Sequence, residues 1–235
     1  MNYKNIKEGI FLSRPNRFIA MVEIDGKEEI CHVKNTGRCR ELLIHGASVY
    51  LEKSDNPTRK TKYDLVAVRK GERLINMDSQ APNAAVREWL PDLFPEGERF
   101  VAEAKFGRSR FDFYVEAQGR RIFLEVKGVT LEENGVVRFP DAPTERGVKH
   151  LAELAECVNL GYEAYVVFVI QMSNVRYFAP NDATHPAFGD ALRRAASAGV
   201  KILARECEVS ANGMTVGAAV EVILHEERKD GVQRN

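Results

Sequence analysis

The segment RFDFYVEAQGRRIFLEVK, residues 110–127, constrains the fold of this chain more than any other segment. Apolar and polar residues alternate on both sides of Gln118-Gly119, which is the pattern of two strands joined by a tight hairpin turn. A two-residue loop fixes the strand register, and that register puts Asp112 directly opposite Glu125. The alternation predicts that both carboxylates lie on one face together with Lys127. On the first strand, the alternation places three apolar residues on the opposite face: Phe111, Phe113 and Val115.

The opposed carboxylates predict a metal site. Cβ atoms at directly paired strand positions are about 5 Å apart, and two carboxylates that close repel unless a cation lies between them. Mg²⁺, or Mn²⁺ in its place, suits the pair because it binds carboxylates and keeps several water ligands. Lys127 would then hold a water molecule or a phosphate oxygen beside the metal. The alternative is that these charges cover the solvent face of an ordinary hairpin.

Composition indicates a soluble globular protein of one large or two small domains. The chain has 235 residues, of which 44% are hydrophobic and 29% are charged. No apolar run is long enough to span a membrane, and the opening residues do not resemble a signal peptide, so we expect a cytoplasmic protein. The four cysteines form no paired spacing, which favours reduced thiols over disulfides or a zinc site.

The two parts of the chain differ in charge although the formal net charge is zero. Residues 1–80 hold 15 Lys and Arg against 11 Asp and Glu, whereas residues 81–235 hold 19 against 23. The asymmetry suits a basic nucleic-acid-binding domain, residues 1–80, joined to an acidic metal-using domain, residues 81–235.

The N-terminal part reads as short strands separated by turns. One brief helical piece is expected near residues 41–43. Few strands with little helix favour a small β-barrel, an OB-like fold. The expected strands cover residues 9–12, 18–24, 29–33, 49–53 and 64–69.

Basic residues concentrate at the loops of this predicted barrel. Guanidinium and ammonium groups along one groove would bind a phosphate backbone, although surface loops are often basic without that role. Phe18 and Tyr50 could stack on bases, but a place in the core is the expectation for both. The candidate nucleic-acid-binding residues of this domain are Arg14, Arg17, Arg38, Arg40, Arg59 and Lys60.

The C-terminal part opens with an amphipathic helix over residues 82–90 that carries Glu88. Strands follow, and then a helix capped by Thr144, near whose N-terminus Arg146 and Lys149 would clamp phosphates. An apolar strand over residues 164–170, buried on both faces, ends at Gln171. A helix over 185–198 and a strand over 200–205 come next. The buried stripe of the Thr144 helix is predicted to hold Val148, Leu151, Leu154, Ala155 and Val158.

This order, αβββαβ with D…ExK on consecutive strands, is that of the PD-(D/E)XK nuclease superfamily. The resemblance implies catalytic roles for Asp112, Glu125 and Lys127. It implies Glu88 as a third acidic member, and Gln171 is a further residue that could converge on the site. The carbonyl of Val126 would be an additional metal ligand.

Six blocks of the sequence are distinctive: RPNRF at 14–18, NTGR at 35–38, KSDNPTRK at 53–60, SRFDF at 109–113, EVKGVTL at 125–131 and FPDAPTERGVKHL at 139–151. They resemble one family in particular, the sugar fermentation stimulation protein A family. The resemblance extends from about Phe11 to Leu224 and implies an α/β (α+β) protein, an OB-like β-barrel followed by a nuclease-like αβββαβ domain. It also implies DNA as partner and a regulatory link to sugar (maltose) metabolism.

Three functions therefore stay open. The first is a DNA-binding protein with a Mg²⁺-dependent phosphodiesterase site, in which the metal polarises the scissile phosphate and Lys127 acts in the transition state. The second is a non-catalytic DNA-binding regulator on a retained nuclease scaffold. The third is a sugar-phosphate binder, for which no residue marks a site.

Overall fold

The structure, a computed structural model, describes residues 1–35, 37–107 and 109–225. The first six strands form one sheet in the order β3-β2-β1-β4-β5-β6. An additional pairing of β3 with β5 closes five of these strands into a barrel, which confirms the OB-like fold. The strands are β1 (Ile6–Asn16), β2 (Ile19–Ile24), β3 (Lys27–Val33), β4 (Ser48–Lys53), β5 (Tyr63–Lys70) and β6 (Arg73–Asn76).

Alternation along the barrel strands buries one face of each. On β2, Ala20, Val22 and Ile24 point into the core. The β2–β3 hairpin turns at Asp25-Gly26, where both residues have positive φ, as a tight hairpin turn requires. The helical piece expected over residues 41–43 is a turn instead, and β6 was not predicted.

The second part of the chain is built on a six-stranded sheet in the order β15-β14-β12-β9-β8-β7. Strands β7, β8 and β9 are antiparallel neighbours, and β12 lies parallel to both β9 and β14. The αβββαβ order is confirmed. The strands are β7 (Gly97–Phe106), β8 (Ser109–Ala117), β9 (Arg120–Val129), β12 (Glu163–Ile170), β14 (Lys201–Ser210) and β15 (Gly213–Ala219). The helices are α1 (Ala81–Leu93), α2 (Glu145–Asn159) and α3 (Pro186–Ser197).

A smaller sheet, in the order β10-β11-β13-β16, stands beside the large one. Its β10–β11 hairpin turns at Asn134-Gly135, as predicted, with both residues at positive φ. The strand β13, which pairs in parallel with β11, was not predicted. The four strands are β10 (Glu132–Glu133), β11 (Val136–Phe139), β13 (Tyr177–Pro180) and β16 (Glu221–Val222).

Hydrogen bonds join the barrel to the second sheet. Gln171 binds the carbonyl of Asn76 and the carbonyl of Asp78 through its Nε2, at 3.1 Å each. At the other end, Tyr3 N donates to Asn212 O at 2.7 Å. Gln171, which the sequence indicated could converge on the candidate site, thus hydrogen-bonds at the junction between barrel and sheet. Among the described residues, no helix combines the length and apolar character that crossing a membrane requires.

Candidate active site

The β8–β9 hairpin has the predicted turn and register. Gln118 and Gly119 have φ of 49° and 75°, and Phe113 pairs with Leu124. The uniform alternation predicted for β8 is wrong, however. Phe111 and Tyr114, three residues apart, both pack against the ring of Phe123, so the alternation breaks between them.

Asp112 lies at this break, and its side chain replaces strand pairing. Its Oδ2 accepts the backbone N–H of Val126 at 2.7 Å, and its Oδ1 accepts Nδ2 of Asn83, on α1, at 2.7 Å. A backbone donor of β9 is thereby satisfied by a carboxylate of β8. The hydrogen bond between Asp112 and the N–H of Val126, the residue after Glu125, therefore holds the two predicted acids close together.

Glu125 is buried beneath α2, with 4% of its surface exposed. Its Oε1 accepts Lys127 Nζ at 2.5 Å and also contacts His150 Nδ1. Its Oε2 is buried and has no hydrogen-bond partner among the described residues. A buried carboxylate oxygen without a donor is costly, and such an atom is expected where a cation binds.

His150 was not among the predicted site residues, yet it is the buried partner of Glu125. Arg146 Nε donates to His150 Nε2 at 3.3 Å, so Nε2 is the acceptor, and Nδ1–H donates the hydrogen bond to Glu125. A signal was present in the sequence, because His150 occupies an apolar position of the α2 stripe. The buried residues of that stripe are Gly147, His150, Leu151, Leu154 and Cys157.

The two carboxyl groups differ electrostatically. Burial, followed by the nearby charge of Glu125, raises the pKa of Asp112 above its ordinary value. Burial also pushes the pKa of Glu125 upward, but the His150 hydrogen bond and the Lys127 charge outweigh it, and the pKa is lowered. Glu125 is thus held ionised, and the charge of Asp112 is the one that a cation would relieve.

The residues present fit a hard divalent cation. The fit rests on the donorless Oε2 of Glu125 and on the electrostatic cost of ionising Asp112 beside it. In the described parts of the chain, no group of three or more His, Cys, Asp and Glu is arranged to hold a metal. Two carboxylates with waters is a donor set that Mg²⁺ accepts.

Glu88 lies on α1, more than one helical turn after Asn83, the residue that contacts Asp112. It is exposed, and its Oε2 pairs with the Met1 ammonium at 2.5 Å. It lines the same cleft as Asp112 and Asn83. Asn83 is the α1 residue that touches Asp112 directly.

The predicted cations of α2 lie at the mouth of a second cleft, which His150 also lines. Arg146 is exposed and contacts His150. Lys149 is exposed and lies 3.6 Å from Glu153 one turn along the helix.

The six predicted cations of the barrel divide into two groups. Arg14 donates to four backbone carbonyls, and Arg59 forms a two-pronged bond to buried Asp64 at 2.6 and 2.8 Å, so the fold itself engages both. The others are exposed, and within the described ranges they form no ion pair with a carboxylate. This second group is Arg17, Arg38, Arg40 and Lys60.

Comparison with known proteins matches both domains of the chain. The family model described as SfsA N-terminal OB domain matches residues 12–77, and the Sugar fermentation stimulation protein RE domain matches residues 80–213. The chain is 65% identical over 227 residues to a sugar fermentation stimulation protein homolog of Desulfitobacterium hafniense, covering 96% of this chain and all of that one. It is 59% identical over 226 residues to the homolog of Ruminiclostridium cellulolyticum, covering 95% and 100%.

A solved structure is also similar. SfsA of Pyrococcus furiosus, solved in complex with Ca²⁺, superposes with a TM-score of 0.84 at 30% identity, covering 95% of this chain and 98% of that one. Both domains and nearly the whole length are therefore matched. The chain belongs to the sugar fermentation stimulation protein family.

Proposed function

We propose that this chain is a DNA-binding protein with a Mg²⁺-dependent phosphodiesterase site at Asp112, Glu125 and Lys127. The family name connects such proteins with sugar fermentation. DNA binding is the means by which we propose that this chain acts in the regulation of sugar (maltose) metabolism.

One observation carries the proposal: the buried Oε2 of Glu125 lacks a donor beside a second carboxylate that is costly to ionise. In the barrel, by contrast, Arg59 donates to both oxygens of the buried carboxylate of Asp64. The Pyrococcus furiosus relative was solved with Ca²⁺, a hard cation that takes oxygen ligands as Mg²⁺ does. The relative supports a hard cation as a ligand for this family, and the placement of the cation at Asp112 and Glu125 rests on the residues of this chain.

Each side chain has a defined task in the proposed reaction. Asp112 and Glu125 supply carboxylate oxygens, and a bound Mg²⁺ would polarise the phosphate and acidify a water molecule. Lys127, which now donates to Glu125, would turn its ammonium toward the attacking water or the charged phosphoryl oxygens. His150 holds Glu125 in place through Nδ1.

The DNA backbone would reach this site across α2. Arg146 and Lys149 are exposed at the cleft beside His150 and would contact phosphates there. The exposed cations of the barrel would continue the contact on the N-terminal domain. Glu88, at the other cleft, would act only through water.

The test is cleavage by purified protein with Mg²⁺ or Mn²⁺ on single-stranded, double-stranded, linear and branched DNA. We expect cleavage that EDTA abolishes and that Lys127→Ala removes while metal binding persists, because Lys127 acts in the transition state. Cleavage of equal rate in the variant would identify a contaminating nuclease and defeat the assignment.

A second function, a non-catalytic DNA-binding regulator, is favoured by two contacts to Glu125. Lys127 and His150 already neutralise Oε1 of Glu125, so half of the carboxylate is satisfied without a metal. This regulator would bind DNA equally with and without Mg²⁺ and would cleave none of the substrates. A panel of sugar phosphates in the same assays tests the third candidate, for which the structure offers no supporting observation among the described residues.

A further inference from the structure

Phe18 is an aromatic residue on the surface of the barrel, although the sequence predicts a place in the core for it. It follows β1 at the tip of the β1–β2 hairpin, and 49% of its surface is exposed. The guanidinium carbon of Arg17 lies 5.6 Å from the ring centroid. The hairpin tip thus presents an aromatic face and a cation side by side.

The backbone under this ring is firmly held. Asn16 Oδ1 accepts the N–H of Phe18 at 2.9 Å and the N–H of Ile19 at 3.1 Å. The carbonyl of Phe18 accepts the N–H of Val33 at 2.8 Å. A platform fixed before its partner arrives loses little conformational entropy on binding.

Arg14 holds a second exposed arginine, Arg38, close to the hairpin tip. The Arg14 guanidinium donates to the carbonyl of Arg17 and to the carbonyl of Arg38, both at 2.7 Å. One side chain therefore joins the hairpin tip to the loop that carries Arg38. Arg17 and Arg38 are exposed and form no ion pair within the described ranges.

The same loop leads back to the candidate active site. Asn35 and Gly37 line a cleft together with residues 128–131, which directly follow Lys127 on β9. A Cβ atom on Gly37 would lie 2.6 Å from Oδ2 of Asp141, so the barrel loop touches the C-terminal domain there. The loop that carries Arg38 thus shares a cleft with the segment that follows Lys127 in the chain.

We infer that Phe18 stacks on an unpaired base while Arg17 and Arg38 contact the adjacent phosphates. The substrate of the site would then be DNA with a single-stranded segment. This inference rests on the proposed function and names its substrate class. An aromatic face flanked by cations is the arrangement that binds single strands without sequence preference, because every base offers a π-face. In an intact duplex the bases are stacked on one another and cannot occupy the platform.

The test compares the affinity of the full-length protein for oligo(dT), for a duplex of equal length, and for that duplex with an oligo(dT) tail. Removing one stacking residue weakens single-strand binding roughly 5- to 150-fold. We expect Phe18→Ala to show such a loss on oligo(dT) and on the tailed duplex, with duplex affinity changed less than about twofold. Phe18→Tyr restores the affinity, and Phe18→Leu, which is apolar but has no aromatic ring, does not.

A spectroscopic measurement accompanies the affinities. In a Trp89→Phe background, Phe18→Trp introduces a lone tryptophan whose emission should be quenched by oligo(dT) and not by the duplex. Equal losses on single and double strands, or full affinity in Phe18→Leu, would overturn the inference and leave DNA binding intact. If the unsubstituted protein binds none of the three DNAs, the proposed function itself fails.

Discussion

Two groups of buried carboxylates, one in each domain, are satisfied in opposite ways. In the barrel, the Lys34 cluster (Lys34, Arg59, Asp64 and Asp78) pairs every carboxylate oxygen with a donor. Arg59 reaches both oxygens of Asp64, and Lys34 Nζ lies 3.2 Å from Asp78 and 3.6 Å from Asp64. The remaining oxygen of Asp78 accepts the N–H of Gln80 at 2.9 Å.

The Glu125 cluster (Asp112, Glu125, Lys127 and His150) lacks that balance. Burial and the charge of Glu125 raise the pKa of Asp112, and Oε2 of Glu125 has no donor among the described residues. By contrast, Asp64 is also buried, but its partners Arg59 and His32 outweigh the burial and lower its pKa. A paired buried charge becomes costly only when its partner is removed, whereas an unpaired one indicates where a cation belongs.

The largest effect is expected from Asp112→Asn. A neutral amide is a poor ligand for a hard cation, so Mg²⁺-dependent cleavage should fall by more than the roughly 10- to 100-fold typical of losing an outer partner. DNA binding without metal should persist or strengthen, since a negative charge is removed. The fold should survive, because Asn83 can turn its amide to pair with the new one. Retention of cleavage at full rate would show that the acid is not a ligand.

The next effect is on stability and belongs to the barrel. Lys34→Met leaves two buried carboxylates short of a cation, and we expect a cost of about 2 kcal/mol in urea unfolding. This is less than the roughly 3–5 kcal/mol of a fully buried pair, because Lys34 keeps 21% of its side chain exposed. Lys62→Met is the matched control, since its pair with Glu29 is exposed and worth about 0–1 kcal/mol. Equal costs would show that the Lys34 cluster contributes no more than surface charges.

His150→Ala tests the positioning of Glu125. Loss of an outer partner costs about 10- to 100-fold in metal affinity, which isothermal calorimetry with Mn²⁺ would measure. His150→Asn keeps a donor near Nδ1 and should restore most of the affinity. His45→Ala, at an exposed histidine of the barrel, is the control that should change nothing. A loss in His150→Asn as large as in His150→Ala would mean that the ring only fills space.

The exposed barrel cations and those bonded within the fold should affect the salt dependence of DNA binding differently. Each phosphate contact contributes a slope of about 0.9 in log affinity against log salt for a duplex. Arg38→Ala should lower the slope by about that amount without affecting stability. Arg59→Ala should leave the slope unchanged and destabilise the barrel, because it strips buried Asp64 of its two-pronged partner. The opposite result would reverse the assignment of these two residues.

Local pattern predicted the frame of the site but not its contacts. The turn at Gln118-Gly119 was sufficient to set the β8–β9 register, because a two-residue turn leaves one pairing. The break at Asp112 was not predictable from alternation, since it arises when a side chain takes the place of a backbone acceptor. His150 was missed because its partner, Glu125, lies 25 residues away in the chain.

Charge type likewise predicted where cations are but not what they do. Arg14 and Arg38 look equivalent in the sequence, yet the Arg14 guanidinium donates to backbone carbonyls whereas Arg38 is exposed. The difference depends on which loops the closed barrel brings together, and no local pattern contains that information. Phe18 was placed in the core for the same reason, since its exposure follows from the tip of a hairpin.

The smallest expected effect concerns a paired carboxylate at the far end of the sheet. Glu163 accepts Arg120 Nε at 2.6 Å and Lys201 Nζ at 2.9 Å. The hydrogen bond from Arg120 is the main cause that lowers the pKa of Glu163 to about 2, from an ordinary value of 4.5. Because the folded-state pKa is the lower one, the ionised group stabilises the protein above about pH 4.5, and this contribution is lost as the pH falls toward 2.

Glu163→Gln should therefore lower the free energy of unfolding near neutral pH by roughly 1 kcal/mol, the scale of a partly exposed ion pair. The difference between the unsubstituted protein and the variant should shrink as urea unfolding is repeated from pH 6 toward pH 2.5. Glu103→Gln removes an exposed pair with Arg110 and serves as the control. A difference that stays constant with pH would mean that Glu163 contributes through packing alone. It would then not belong with the paired carboxylates of the Lys34 cluster, whose stabilising effect depends on ionisation.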